Sequence, residues 1–211
     1  MLRSGALRSA RIAAPERCAH YRFDYYGPPV TPATTETLQR AKAIRFLSCD
    51  VDGVLTDGRI FLGAGGAEWK SFAVVDGLGL KMLDRSGIVV AWISGRRSEA
   101  VARRASELGI RHLIEGADNK LAPWQGLLRE LSVTPEQCAH IGDDLPDLPL
   151  LERCGFAATV PHAPDVVKRS AHYISTAPAG HGAVRELCEL LLSAQGLLDL
   201  RQAEFRTGAT A

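Results

Sequence analysis

From Ile44 onward, short apolar runs alternate with segments of helical period. The runs Ile44–Cys49, Ile88–Ile93, His112–Ile114, Ala139–Ile141, Phe156–Val160 and Tyr173–Ser175 have the length and near-continuous apolarity of strands buried on both faces. Between them, Gly77–Asp84, Ser98–Leu108, Lys120–Leu131, Leu145–Arg153, Pro164–Arg169 and Ala183–Ala194 read as helices, and Thr35–Ala43 as a short entering helix. Around Ser98–Leu108, for example, Val101, Ala105 and Leu108 share one face while Arg97, Arg103, Arg104 and Glu107 fall largely elsewhere. This alternation predicts an α/β fold, a doubly wound parallel sheet covered by helices on both sides. Right-handed crossovers then bring the C-terminal strand ends to one edge, where such sheets bind ligands.

One segment breaks the alternation. Arg59–Leu62 and Ala67–Val74 flank Gly63-Ala64-Gly65-Gly66, which predicts a β-hairpin. Spanning about residues 58–75, it starts at the predicted ligand edge and would form a flap that shields chemistry there from water. No second apolar α/β block is present to serve as a large cap domain. Residues 1–35 contain Gly27-Pro28-Pro29 and Pro32 without apolar period and read as an N-terminal extension. The domain proper is expected over residues 36–200, with residues 201–211 as a C-terminal tail.

Composition narrows the class. The chain has 211 residues, 46% hydrophobic and 23% charged, which suits one globular domain with a real core. A net charge of +1 gives no support to nucleic-acid or membrane-surface binding. The five cysteines are odd in number and have no C-x-x-C spacing, so they read as reduced thiols in a cytoplasmic protein without a zinc site. No apolar run reaches the roughly 18 residues needed to span a bilayer. Arg3, Arg8, Arg11, Arg17 and Arg22 give a weak echo of a transit peptide, without the apolar core of a secretory signal. The three tryptophans and six histidines form no ligand pattern and read as structural or solvated, with His181 a minor substrate-site candidate.

The chemistry sits at the predicted strand ends. The first strand runs into Asp50 and Asp52, whose side chains fall on one side of an extended chain. Carboxylates this close, at the end of a buried strand, repel each other unless a cation offsets them. The second ends in Ser94-Gly95-Arg96, a hydroxyl and N–H groups before a helix. The third leads to Asn119 and Lys120, and the fourth to Gly142-Asp143-Asp144-Leu145-Pro146-Asp147. Singly, each has a bland reading as a cap or a solvated charge; together they point to a divalent-metal site with acid–base or nucleophilic chemistry.

Asp50–Asp57, Ser94, Lys120 and Gly142–Asp147 resemble the four motifs of haloacid dehalogenase superfamily phosphotransferases. With Tyr26-Gly27-Pro28, Asp76-Gly77-Leu78-Gly79, Gly182–Glu186 and Ala194-Gln195-Gly196, the chain is most similar to the 3-deoxy-D-manno-octulosonate 8-phosphate phosphatase group, over about residues 26–200. The resemblance implies a Mg2+-dependent phosphomonoesterase of lipopolysaccharide sugar synthesis. It implies Asp50 as nucleophile, Asp52 as acid–base, and Ser94 and Lys120 as phosphoryl-binding groups. Asp50, Asp143 and the main-chain carbonyl of Asp52 would hold the metal, with Asp144 or Asp147 behind them. Sugar-binding positions map onto Ala73, Val74, Val75, Asp76, Gly77, Lys81, Arg96, Arg104 and Lys120. The resembled pattern carries arginine near Val75 and at Lys81, so the sugar is open to a nonulosonate 9-phosphate as the alternative. The family also implies a homotetramer in which neighbours close the site. A phospho-accepting receiver shares part of the constellation but needs neither Asp52 nor a flap; a pseudo-enzyme would not need the complete set.

Overall fold

A computed structural model describes residues 34–208. The N-terminal extension, with Cys18, His20 and Tyr26-Gly27-Pro28, lies outside the described residues. The strands β1 (Phe46–Cys49), β4 (Val89–Ile93), β5 (His112–Ile114), β6 (Cys138–Ile141), β7 (Phe156–Thr159) and β8 (Tyr173–Ile174) form one sheet in the order β5-β4-β1-β6-β7-β8. Every pair in it is parallel. The central strands β1, β6 and β7 are buried throughout, which explains why they are apolar but for Ser48, His140 and Thr159. The order reverses at β1, and in such sheets the crevice beyond the strand ends at this point is the ligand site.

Helices cover the sheet: α1 (Thr35–Lys42), α2 (Val74–Arg85), α3 (Glu99–Leu108), α4 (Leu121–Leu131), α5 (Leu148–Leu151), α6 (Asp165–Arg169), α7 (Ala183–Ala194) and α8 (Leu198–Thr207). The α/β fold and its parallel sheet agree with the sequence pattern, and three details differ. The hairpin is short, pairing only β2 (Phe61–Leu62) with β3 (Glu68–Trp69), because glycines occupy its turn and the chain soon joins a helix. That helix, α2, begins at Val74 rather than Gly77. Its glycines are poor helix formers, but a side chain at Gly79 would press on Arg185 and Cys188 of α7, so tight packing outweighs propensity. Finally, α8 crosses the expected domain end at 200; only Leu198 of it is buried, so it has no apolar stripe to betray it.

The return from β8 to α7 is tied to the rest by buried polar groups. Glu186 accepts hydrogen bonds from the Tyr173 hydroxyl and from the N–H groups of Thr176 and Ala177. Asp76, at the start of α2, accepts from the N–H groups of Gly182 and Arg185 and so caps α7. Gly180 donates its N–H to Val54 at 2.9 Å, in the loop after β1. Its φ is +67°, and a Cβ there would lie 2.6 Å from backbone atoms of Thr56 and Asp57. Gly180→Ala is therefore expected to destabilise the fold by about 1–3 kcal/mol, through strain and overpacking against backbone that has little room to yield. Denaturant unfolding of the two proteins checks this.

Candidate active site

Parallel register brings the chemistry of several strands to one level. Cys49, at the end of β1, aligns with Trp92 of β4 and Ile141 of β6. Asp50 follows β1 and donates its N–H to Ile141, and Ser94 follows β4 and donates its N–H to Ile114. Lys120 immediately precedes α4 and its side chain turns into the sheet edge. Its Nζ lies 2.5 Å from Asp50 Oδ1 and 2.7 Å from Asp147 Oδ1. Carboxylate oxygens of Asp50, Asp143 and Asp147 all fall within 4.8 Å of one another. Glycines permit this crowding: a Cβ on Gly53 would stand 2.1 Å from Asp143 Oδ2, and one on Gly142 2.3 Å from Asp147.

The charges do not balance locally. Burial, then the charge of Asp147, push Asp50 up to about 7 despite Lys120. Burial and Asp147 likewise push Asp143 up to about 6. Burial also opposes ionisation of Asp147, but the hydrogen bond and charge of His140, joined by Lys120, bring it down to about 2. Lys120 is itself buried, yet the two carboxylates it touches raise it above its ordinary value. Lys120 bonds two of the three acids, so a further cation would favour the ionised form of the whole cluster.

Asp52 has a separate partner. Lys70, just past β3, places Nζ 2.7 and 2.8 Å from the two carboxylate oxygens of Asp52. Lys70 is also 3.5 Å from Glu68, which pairs with Arg96 at 3.2 Å. Phe72 stacks on the buried Trp92 and anchors this strip to the sheet. The hairpin is thus joined to the chemistry by an ion-pair chain, Asp52–Lys70–Glu68–Arg96.

Comparison with known proteins places this geometry. The haloacid dehalogenase-like hydrolase family matches residues 89–187. The 3-deoxy-D-manno-octulosonate 8-phosphate phosphatase of Yersinia pestis is 45% identical over 168 residues, 80% of this chain and 90% of that protein. The chain belongs to the haloacid dehalogenase-like hydrolase family. Among solved structures, the Moraxella catarrhalis 3-deoxy-D-manno-octulosonate 8-phosphate phosphatase, in complex with magnesium, phosphate and KDO, has a TM-score of 0.78 at 48% identity, covering 80% of this chain and 97% of that one. A cobalt-bound deoxy-D-mannose-octulosonate 8-phosphate phosphatase from Haemophilus influenzae has a TM-score of 0.74 at 42% identity, covering 77% of this chain and 95% of that one.

In this haloacid dehalogenase-like hydrolase, Asp50, Lys120, Asp143 and Asp147 converge, with Asp52 beside them on the same loop. Ser94 is buried and its Oγ accepts the Arg96 N–H at 3.1 Å. Asp144 turns away to cap the following turn, accepting the Leu145 N–H. Of the predicted sugar positions, Ala73, Val74 and Val75 open α2, and both valines are exposed. Arg104 lies against Gly77, where a Cβ would meet its guanidinium at 2.7 Å. Asp76 departs from the expectation: it is buried, and its oxygens are engaged by α7, so its side chain does not face a sugar. Lys81 is exposed and lies about two turns along α2 from Val74. Lys70, Glu68 and His140 escaped the sequence reading, because single residues on a glycine-flanked hairpin or inside a strand carry no spacing signal.

The donor set is oxygen-only and carries surplus negative charge, which fits a hard divalent cation. Its titration has a defined sign. In the metal-free fold Asp50 and Asp143, with Asp76 raised by burial to about 6, retain protons that the unfolded chain loses near about pH 4. Their stabilisation is complete below that value and is lost as pH rises through about 6 to 7. Asp147 acts oppositely, contributing above about pH 4 and losing its contribution toward about 2. Chelator-treated protein is expected to melt at a lower temperature near about pH 8 than near about pH 5, and added Mg2+ to narrow or reverse the gap. Thermal melts in EDTA and in Mg2+ check this.

Proposed function

We propose that this chain is a Mg2+-dependent phosphomonoesterase that hydrolyses 3-deoxy-D-manno-octulosonate 8-phosphate to the sugar acid and phosphate, in lipopolysaccharide sugar synthesis. The observation that carries the reading is the buried Asp50–Lys120 pair beside Asp143, in a chain 45% identical to a phosphatase of that name.

Asp50 is the nucleophile in this reading. Its carboxylate attacks phosphorus while the ester bond to the sugar oxygen breaks, and Asp52 gives that oxygen a proton. Asp52 then takes a proton from water as the water oxygen attacks phosphorus, the acyl-phosphate bond breaks, and Asp50 is restored. Lys120 and the Ser94 hydroxyl hold the phosphoryl oxygens and offset their charge. Lys70 fixes where the Asp52 carboxylate stands. Bound at Asp50, Asp143 and the main-chain carbonyl of Asp52, Mg2+ supplies the charge neutralisation that lets an anion approach an anionic phosphate.

The half-exposed Arg96, together with Arg104, supports recognition of the sugar's carboxylate. We further infer a cytoplasmic homotetramer with neighbouring subunits closing the site. Phe61, Leu62, Trp69 and Val74 are 54%, 79%, 58% and 78% exposed on and beside the hairpin, an apolar surface suited to association. Cys49, Cys138, Cys154 and Cys188 are unpaired, which suits a reducing compartment.

Phosphate release from this sugar phosphate, assayed beside a nonulosonate 9-phosphate and with or without Mg2+, tests the substrate and metal together. Preference for the nonulosonate overturns the sugar assignment. Asp50→Asn is expected to abolish turnover while the protein still folds, as circular dichroism checks; substantial residual turnover would remove Asp50 from the nucleophile role. Lys70→Met is expected to lower kcat by about 10-fold or more with a smaller change in KM, a split that steady-state kinetics resolves.

A further inference from the structure

His140 lies within β6, fully buried beneath the acidic cluster, and the chemistry above makes no use of it. Its Nε2 is 3.1 Å from Asp147 Oδ1, and its Nδ1 is 2.9 Å from the Ser48 hydroxyl on the neighbouring strand β1. Nε2 faces a carboxylate and so carries a proton that it donates. On the far side the Ser48 contact fixes the ring.

Asp147 has two oxygens and about four lone-pair sites. Lys120 and His140 take those on Oδ1, and the N–H groups of Asp143 and Asp144 approach Oδ2 at 3.1 and 3.4 Å. A carboxylate so engaged is an organiser. Through Lys120 it sets the cation that touches Asp50, and through the backbone it sets the turn that presents Asp143.

We propose that His140, backed by Ser48, is a positioning residue that locks Asp147 and thereby the placement of Lys120 and Asp143. This rests on the metal-dependent reading of the same site. Its contacts make this histidine the floor of the site.

The test exploits two amides. Glutamine in place of histidine can present its amide nitrogen near the Nε2 position, whereas asparagine reaches only the Nδ1 position. Calorimetric titration of Mg2+ into chelator-stripped protein without substrate gives the metal dissociation constant; kinetics with the sugar phosphate give kcat and KM. His140→Asn is expected to weaken Mg2+ binding by about 10- to 100-fold and to lower kcat, with KM within about twofold. His140→Gln is expected to recover both parameters to within about threefold of the parent. Ser48→Ala, a one-atom deletion, is expected to weaken Mg2+ binding by about 2- to 10-fold, and it decides the matter should His140→Asn not fold. Equal impairment by Asn and Gln with lowered melting temperature would mean a packing role and overturn the proposal, as would unaltered Mg2+ binding in His140→Asn or in Ser48→Ala. Absence of Mg2+ binding in the parent protein would instead overturn the metal-dependent reading itself.

Discussion

Two buried carboxylates, Asp50 and Asp147, share Lys120 at the edge of the sheet with the half-buried Asp143 beside them, and the rest of the architecture follows from keeping them there. Like charges at such separations favour protonation or expansion, and burial strengthens the tendency. A flexible loop would relieve the strain by moving apart. Here Asp50 leaves the end of a strand paired on both edges, and Asp143 and Asp147 sit on the turn after β6, tied together by the Asp143 and Asp144 N–H groups that Asp147 accepts. Burial and the charge of Asp147 accordingly push both Asp50 and Asp143 above the usual carboxylate range.

Two kinds of support make the crowding possible. Backbone support comes from Gly53 and Gly142, which leave room for Asp143 and Asp147 where any side chain would collide. Polar support comes from below, where His140 and Ser48 continue the hydrogen-bonded line beneath Asp147. The residues proposed for recognition come from elsewhere. Arg96, Arg104 and the opening of α2 lie on helices and loops around the edge, and the hairpin supplies Lys70 and Glu68. Such a division lets the substrate-facing parts vary without disturbing the carboxylates.

Much of the site was legible in the sequence because strand ends are readable. Continuous apolar runs locate β1, β4 and β6, and polar residues directly after them must emerge at one edge; Asp50, Ser94 and Asp143 were found that way. Lys120 was found by its place at a helix start. What escaped depended on tertiary direction. Asp76 is a sugar-binding position only by the family resemblance, and its carboxylate turns to cap α7. His140 sits inside an apolar run, where periodicity places it in the core but gives no partner. Lys70 lies one residue beyond a two-residue strand, and only the fold of the hairpin carries it to Asp52. The helix α8 was invisible because nearly all of it faces solvent.

The bond between Gly180 and Val54 joins the loop after the first strand to the loop before the last long helix. Val54 belongs to the segment that carries Asp50 and Asp52, made early as the chain leaves the ribosome, while Gly180 emerges only after more than half the protein has followed. The β1 strand must likewise wait for β6 before its second edge is paired. A growing chain therefore exposes Asp50 and Asp52 well before β6 and the segment around Gly180 can complete the contacts about them.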